Sequence, residues 1–293
     1  MPPRSPSARR CVLNAERRFR RARLVYGHGT DNARDEAVFL VFHALGLPFD
    51  VDDATLDAPL DTAAAARVEA LVRARIETRR PAAYLTGRMW FVGHEFMVNE
   101  HVLVPRSPIG ELVGARFRPW LDPDRIERVL DIGTGSGCIA IATALALPAC
   151  RVDATDVSAE ALAVAQANAE RLNVADRVSF HLADVFPPHD GTYELILANP
   201  PYVPQAEYDE LPAEYLREPE GALVAGDDGL DIVRRILAAL PRRLSTDGAL
   251  IMDTGATSDA LAAAYPDLPF TWVELEQGGD GISVLRRSEL PGA

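Results

Sequence analysis

Short apolar runs alternate with amphipathic stretches from about residue 108 onward. The runs are rich in β-branched residues, and the stretches between them repeat their apolar residues at helical spacing. This alternation predicts a mostly parallel sheet with helices on both faces. The predicted strands are RVLDIGTG, RVDATDV, VSFHLADV, YELILANPPYV, GALIMDT, FTWVELE and GISVLRR. The tight turn QGGDG joins the last two, which predicts an antiparallel hairpin at one edge.

Residues 10–86 carry helical periodicity instead. The stretch DNARDEAVFLVFHALGL predicts a helix with Thr30 or Asp31 as N-cap and with Gly46 at its end. The stretch DTAAAARVEALVRARIETRR predicts a second helix that Pro81 terminates.

The segment RMWFVGHEFMVNEHVLVP between these two regions is rich in aromatic and β-branched residues and predicts a β-hairpin. We therefore predict a helical N-terminal domain at 1–86, a β-hairpin linker at 87–107 and an α/β domain at 108–293.

The charge of the chain is unevenly distributed. Of its 293 residues 25% are charged, and the formal net charge is -13. Residues 1–25 carry eight arginines and one acid, Glu16, so the rest of the chain has a net charge of about -20. An acidic body repels nucleic-acid phosphates and attracts a basic protein. The basic head either contacts RNA or is a frayed tail that runs into a solvated helix.

Cysteine and histidine spacing predicts neither disulfides nor a metal site. The three cysteines, Cys11, Cys138 and Cys150, form no CxxC pair, and six residues separate His94 from His101, which is not a zinc spacing. The longest apolar run, CIAIATALALPAC, is too short to span a bilayer, and no signal peptide precedes it. We expect a cytoplasmic protein without a membrane partner or a metal.

A glycine-rich turn follows the first strand of the predicted sheet. In VLDIGTGSG the spacing is GxGxG, and Cys138 occupies the sixth position, where a dinucleotide fingerprint requires glycine or alanine. The turn and the helix after it therefore favour a nucleotide-like ligand without a pyrophosphate. The next two strands end near Asp156, which is suited to ribose hydroxyls, and Asp184, which is suited to the exocyclic amine of an adenine.

This combination resembles the class I S-adenosylmethionine-dependent methyltransferases over residues 108–289. The resemblance implies a Rossmann-like seven-stranded sheet, S-adenosylmethionine as cofactor and S-adenosylhomocysteine as product. It also implies a cofactor site built from Asp131, Gly133, Thr134, Gly135, Gly137, Asp156, Asp184 and Asn199.

The fourth strand of the sheet ends in Asn199, Pro200, Pro201 and Tyr202. Proline lacks an N–H and forces the preceding residue into extended geometry. The side-chain carbonyl of Asn199 and the carbonyl of Pro200 are therefore two acceptors for the two hydrogens of an NH2 group. Tyr202 can close over a planar amide or amine. We predict that these four residues are the catalytic site for methylation of an amino or amide nitrogen.

Three further segments resemble the protein-glutamine N(5)-methyltransferases, over residues 24–289. They are YGHGTDNARDEAV, AYLTGRMWFVGHEFMVNEHVLVPRSPIGELV and EPEGALVAGDDGLDIVRRIL. The stretch VLVPRSPIGEL is similar to the branch that modifies ribosomal large-subunit protein three. Asp253 stands where relatives commonly carry glutamate, which leaves its role open. The role of Arg106, at the junction of the hairpin and the α/β domain, is open as well.

The resemblance implies methyl transfer to a glutamine side-chain amide of a basic ribosomal protein, recognised by the helical domain and hairpin. Three alternatives stay open: the glutamine of the release-factor GGQ motif as target, a non-catalytic cofactor-binding ribosome assembly factor, and a DNA amino-methyltransferase. The acidic body disfavours the last, so no specific nucleic-acid partner is expected. The oligomeric state does not follow from the sequence.

Overall fold

The computed structural model describes residues 6–276 and 278–291. They form two compact units, residues 6–88 with 212–217 (the helical unit) and residues 89–211 with 218–276 and 278–291 (the sheet unit). The sequence pattern gave no sign that 212–217 belongs with the helical unit. The division of the chain at residues 86 and 107 stays a prediction.

The helical unit contains α1 (Ala8–Arg21), α2 (Ala33–Leu45), α3 (Asp53–Asp57), α4 (Thr62–Thr78) and α5 (Ala82–Thr86). Helix α1 begins after Ser7, whose side chain caps it, and buries Val12, Ala15 and Phe19 along one stripe. The expected helix in the basic head is therefore confirmed from Ala8 onward, but one side of it is buried rather than solvated. Residues 1–5 lie outside the described part of the chain.

The N-cap of α2 is Asn32, so the prediction of Thr30 or Asp31 was wrong. The Asn32 side chain accepts hydrogen bonds from the backbone N–H groups of Arg34 and Asp35, two and three residues on. Only the residue directly before the first helical turn has this reach, and its extended backbone allows it. The predicted stop at Gly46 is confirmed, since Gly46 adopts the left-handed conformation there.

A buried ion-pair network lies inside the helical unit. The Arg75 side chain is fully buried and bonds Glu36 at 2.7 Å. Glu214, from the segment 212–217, accepts hydrogen bonds from Arg79 at 3.0 Å and from the Val25 backbone N–H at 3.2 Å. A buried carboxylate is stable only when such partners neutralise it, so Glu214 fastens this segment to the helices.

The sheet unit begins with a hairpin of β1 (Arg88–Phe91) and β2 (His94–Met97). Val92 and Gly93 have φ of 48° and 75°, and two positive φ values match the twist of a two-residue turn. The other strands are β3 (Arg128–Ile132), β4 (Arg151–Asp156), β5 (Val178–Leu182), β6 (Tyr193–Ala198), β7 (Leu244–Asp253), β8 (Thr271–Trp272) and β9 (Ile282–Arg286).

These seven strands form one sheet in the order β5-β4-β3-β6-β7-β9-β8. Strands β3 to β7 are parallel, whereas β9 runs antiparallel to β7 and β8. The predicted fold class and the antiparallel final hairpin are confirmed, although β8 covers only Thr271 and Trp272 of the predicted FTWVELE run.

Helices cover both faces of the sheet, as the alternating pattern predicted. They are α6 (Ile109–Gly114), α7 (Cys138–Ala146), α8 (Ala159–Arg171), α9 (Gln205–Tyr208), α10 (Asp231–Arg243) and α11 (Ser258–Ala264). Residues of α6, α7 and α8 pack in the core on one face, and residues of α10 and α11 pack in the core on the other. No helix among the described residues is long and apolar enough to cross a membrane.

The strand order places a topological switch next to β3. The chain runs outward from β3 through β4 to β5 and then returns to β6 on the other side of β3. Ligands bind beside such a switch, at the carboxyl ends of the strands. The residues that follow β3, β4, β5 and β6 are therefore brought to one edge.

Candidate active site

The glycine turn between β3 and α7 leaves backbone exposed to the switch. Gly133, Gly135 and Gly137 have φ of 69°, 54° and 79°, a region that residues with a Cβ avoid. A Cβ on Gly137 would lie 3.0 Å from that of Ala165, so Gly137 serves close packing of the turn on α8. A Cβ on Gly135 would meet nothing within 4 Å, so this part of the turn faces open space.

Asp131, near the end of β3, is buried beneath the turn and only half satisfied. Its Oδ2 accepts hydrogen bonds from the Thr134 hydroxyl at 2.6 Å and the Ala140 N–H at 3.2 Å. Its Oδ1 is buried and has no hydrogen-bond partner among the described residues. Burial raises the pKa of this carboxyl to about 7, against the opposing effect of those two donors. Buried acceptors without a partner are rare, and a ligand at the neighbouring turn is one explanation for this atom.

Asp156 ends β4 and points back at the glycine turn. Its carboxylate accepts hydrogen bonds from the N–H groups of Gly135 and Ser158, each at 2.9 Å. The N-cap of α8 is Ser158, whose hydroxyl accepts from Ala161. Asp156 is therefore not the N-cap of α8. Its carboxylate lies in the cavity wall and holds the glycine turn there.

Asp184 lies two residues beyond the end of β5, in the same wall. It forms an ion pair with Arg235 of α10 at 2.5 Å, and its side chain is 58% exposed. An exposed pair of this kind contributes little to stability and can be rearranged.

Asn199 follows the last residue of β6, beside the glycine turn. A Cβ on Gly133 would lie 3.9 Å from the Asn199 carbonyl oxygen, so the two strand ends touch. No hydrogen bond to the Asn199 side chain occurs within the described residues, and Pro200 and Pro201 follow it along the wall. The Asn199 amide therefore keeps its hydrogen-bonding capacity for a ligand.

Tyr202 sits differently from the other three residues of its motif. Its ring packs on Gly255, where a Cβ would lie 2.7 Å from the ring carbon Cζ, and its N–H donates to the Leu223 carbonyl. It is absent from the described wall of the cavity. The proposal that its ring closes over an acceptor amide thus requires the ring to turn from Gly255.

These strand ends surround one cavity of about 300 Å³, which is within the range of small-molecule and cofactor sites. Its wall contains Gly133, Thr134, Gly135, Asp156, Asp184, Asn199, Pro200 and Pro201. Asp131 and Gly137 lie behind it, in contact with the turn. Residues 100–107 and the segment around Pro219 to Ala222 complete it.

Two buried acids, Glu218 and Asp253, hold this second part of the wall. From the sequence alone, Glu218 has no assigned role and the role of Asp253 stays open. Glu218, with a fully buried side chain, accepts two hydrogen bonds from the Arg106 guanidinium at 2.6 and 2.7 Å and a third from the Val104 N–H at 3.0 Å. Arg106 thus pairs with an acid, and it also lies in the cavity wall. Glu218 opens one of the segments that carry the family resemblance, but its pairing could not be predicted, because its partners lie more than a hundred positions away.

Asp253, at the end of β7, accepts hydrogen bonds from the Ser107 hydroxyl at 2.8 Å and the Gly255 N–H at 3.1 Å. Burial raises the pKa of its carboxyl to about 6. Asp253 therefore supports the two segments that carry Ser107 and Gly255, and through Gly255 it supports the ring of Tyr202.

Comparison with known proteins decides the family. Two curated relatives are each named ribosomal protein uL3 glutamine methyltransferase. The one from Bordetella pertussis is 47% identical over 95% of this chain and 94% of its own length. The one from Neisseria gonorrhoeae is 47% identical over 94% of this chain and 92% of its own. The chain belongs to the ribosomal protein uL3 glutamine methyltransferase family.

Other comparisons are more general. The family model described as Methyltransferase small domain matches residues 117–226, which include the glycine turn and Asn199. Among solved structures, the ribosomal protein L11 methylase of Lactobacillus delbrueckii is 23% identical and has a TM-score of 0.40, over 55% of this chain and 70% of that one. The protein is a methyltransferase, and its methyl donor is S-adenosylmethionine.

The residues at the switch fit this donor. The cavity is of suitable size, and the turn is open at Gly135. Behind the turn lies Asp131 Oδ1, which has no hydrogen-bond partner in the part of the chain that the structure describes. Two acids, Asp156 and Asp184, suit the hydroxyls and the amine of an adenosine. No pyrophosphate has to be accommodated, in agreement with the failed dinucleotide fingerprint.

Proposed function

We propose that this protein transfers a methyl group from S-adenosylmethionine to the side-chain amide nitrogen of a glutamine in ribosomal protein uL3. The names of relatives that share nearly half of its residues over almost their whole length support the target. The observation that carries the chemistry is the unpartnered Asn199 amide, followed by two imino acids in the cavity wall. We place the reaction in the cytoplasm, because its target is a ribosomal protein.

The difficulty of the reaction is the weak nucleophile. The nitrogen of a primary amide shares its lone pair with the adjacent carbonyl. S-adenosylmethionine supplies an electrophilic methyl carbon when it is bound. The chain must therefore orient the amide and make its nitrogen more electron-rich.

Asn199 and Pro200 supply what the amide needs. The side-chain carbonyl of Asn199 and the main-chain carbonyl of Pro200 accept the two hydrogens of the glutamine NH2 group. Because Pro200 and Pro201 have no N–H, no donor competes at these positions. Fixed orientation of this kind accounts for up to about 7–11 kcal/mol of a reaction barrier in favourable cases.

The proton balance needs no strong base. A bond forms between the amide nitrogen and the methyl carbon while the bond from carbon to sulfur breaks. The nitrogen then carries a positive charge and loses one proton to water. The products are the N-methylated amide, S-adenosylhomocysteine and that proton.

Acidic charge favours the proposed partner. Apart from its basic head the chain has a net charge of about -20, which attracts a basic protein and repels nucleic acid. Recognition of uL3 by the helical unit and the hairpin is part of the proposal.

The test replaces Asn199 with alanine. We expect Asn199→Ala to lower the rate of methyl transfer to purified uL3 by about 10²–10³-fold, as for the loss of one preorganised hydrogen-bonding group. Binding of S-adenosylmethionine, measured by calorimetry, stays within a few-fold. The matched control is Gln166→Ala, which removes an exposed amide from α8 and leaves the rate unchanged.

Near-normal turnover of Asn199→Ala would show that hydrogen bonding of the glutamine amide to the Asn199 side chain is not needed for the reaction. Tritiated cofactor incubated with uL3 and, separately, with a release factor tests the target. Label in the release factor alone would overturn the choice of uL3, and cofactor binding without label in either acceptor would support a non-catalytic role.

A further inference from the structure

Asp153, His181 and His189 form a cluster away from the cavity, on another part of the sheet. Within the described residues, they are the group of three side chains whose ligand atoms come close enough for one metal ion, all within 4.8 Å of one another. Asp153 is in β4, His181 is in β5 and His189 is in the loop before β6. The three residues are separated in the sequence and become neighbours only in the folded chain. The spacing of histidines in the sequence therefore did not predict a metal site.

A hydrogen bond accounts for only one of the two contacts that the histidines make with Asp153. Nε2 of His181 lies 2.9 Å from Oδ1 of Asp153, and Nε2 of His189 lies 3.6 Å from Oδ2. A hydrogen bond explains the first contact but not the second, which is too long. Ligand atoms of a tetrahedral zinc ion lie about 3.4 Å apart, between the two observed distances.

Two further side chains, those of Tyr193 and Arg128, contact the carboxylate of Asp153. The Tyr193 hydroxyl donates to Oδ2 at 2.9 Å, and the Arg128 guanidinium lies 3.5 Å from the same oxygen. Arg128 is stacked 4.9 Å from the centre of the Tyr193 ring. These groups fix the orientation of the carboxylate, with Oδ1 facing His181 and Oδ2 facing His189. Such outer partners are typical of metal ligands.

We propose that Asp153, His181 and His189 bind a zinc ion. Two imidazoles and one carboxylate are the ligand types that zinc favours. The side chains are partly exposed, 17% for Asp153, 22% for His181 and 40% for His189, so water can reach the ion and occupy a fourth position. The site stands independently of the proposed function.

The position of the cluster gives the ion a structural role. Residues 183–192 form the loop between β5 and β6, and this loop carries Asp184 in the cavity wall. His181 precedes the loop and His189 lies near its end. A zinc ion on Asp153 therefore ties both ends of the loop to β4.

Zinc titration of the whole protein tests the site. The wild type, freed of metal with a chelator, is expected to bind one zinc ion by calorimetry and to gain thermal stability as zinc is added. His189→Gln is expected to weaken zinc binding at least about tenfold and to melt, without metal, at the same temperature as the wild type. His94→Gln, which removes a histidine from the hairpin, leaves zinc binding unchanged.

A second variant separates zinc binding from general disruption. Tyr193→Phe keeps the buried ring but removes the hydroxyl behind Oδ2, and we expect about a tenfold loss of zinc affinity. Cobalt as a probe should give the visible absorption of a site with nitrogen and oxygen ligands, and His181→Gln should abolish it. Equal zinc binding by the wild type and His189→Gln, or no binding by the wild type, would overturn the site.

Discussion

Asp131 shows, at the scale of a single residue, how burial shifts the titration of a carboxyl group. Its carboxyl is buried under the glycine turn, and its pKa is raised to about 7 because burial penalises the charge. In the unfolded chain the same group titrates near 4. Between these values the folded state binds more protons than the unfolded state. Asp131 therefore lowers stability progressively as the pH rises from about 4 to 7.

Replacing Asp131 by asparagine removes this titration. The free energy of unfolding of Asp131→Asn, relative to the wild type, should rise by about 2–3 kcal/mol between pH 5 and pH 8. Urea denaturation at several pH values measures it. Parallel curves for the two proteins would show that Asp131 is already charged at pH 5. The same variant is expected to bind S-adenosylmethionine more weakly, since it replaces the acceptor at Oδ1.

Local chemistry made the residue-scale features of the site predictable. The glycine turn, Asp156 and Asn199 stand at strand ends that the apolar pattern reveals, and the structure brings them to one edge. The hydrogen bonds of Asp131 and Tyr202 were not predictable, because they depend on how the turn packs. The cap at Asn32 was missed because three neighbouring polar residues share the propensity to cap.

Two connecting segments close the cavity at the scale of structural elements. The segment 104–107 follows the hairpin, and the segment 218–222 follows residues 212–217 of the helical unit. The ion pair of Arg106 and Glu218 joins the two segments. Their contact could not be read from the sequence, because neither segment has a periodic pattern and the partners are 112 positions apart.

Removal of one partner of this pair leaves a buried charge without compensation. We expect Arg106→Ala to lower the free energy of unfolding by about 3–5 kcal/mol and to weaken cofactor binding, because both segments line the cavity. The matched control is Arg125→Ala, whose pair with Asp247 is 69% and 70% exposed and which should change stability by less than about 1 kcal/mol. Equal effects in urea denaturation would mean that the buried pair contributes no more than a surface one.

Charge acts at the scale of the whole molecule. The proposed substrate is a basic protein, which a net charge of -13 on the enzyme attracts over a long range, and salt screens this attraction. We expect KM for uL3 to rise several-fold between about 50 and 300 mM salt while kcat changes little, because screening slows association rather than chemistry. Steady-state kinetics with uL3 measure both constants. A KM that is independent of salt would exclude charge as the basis of recognition.

The mostly parallel sheet and its helical cover followed from the sequence, because both depend on the alternation of apolar runs with amphipathic stretches. The order of the strands did not follow from it. Membership of 212–217 in the helical unit did not follow. It depends on Glu214 and its bonds to Arg79 and the Val25 N–H, which join residues up to 189 positions apart. Contacts of that range are set by the finished fold and leave no local pattern.

The most direct test of the central claim is mass spectrometry of uL3 from cells that lack this gene. The account predicts that one glutamine of uL3 loses the mass of a methyl group in these cells, that the wild-type gene restores it and that the Asn199→Ala gene does not. A uL3 that stays methylated without the gene, or methylation restored by Asn199→Ala, would contradict the account.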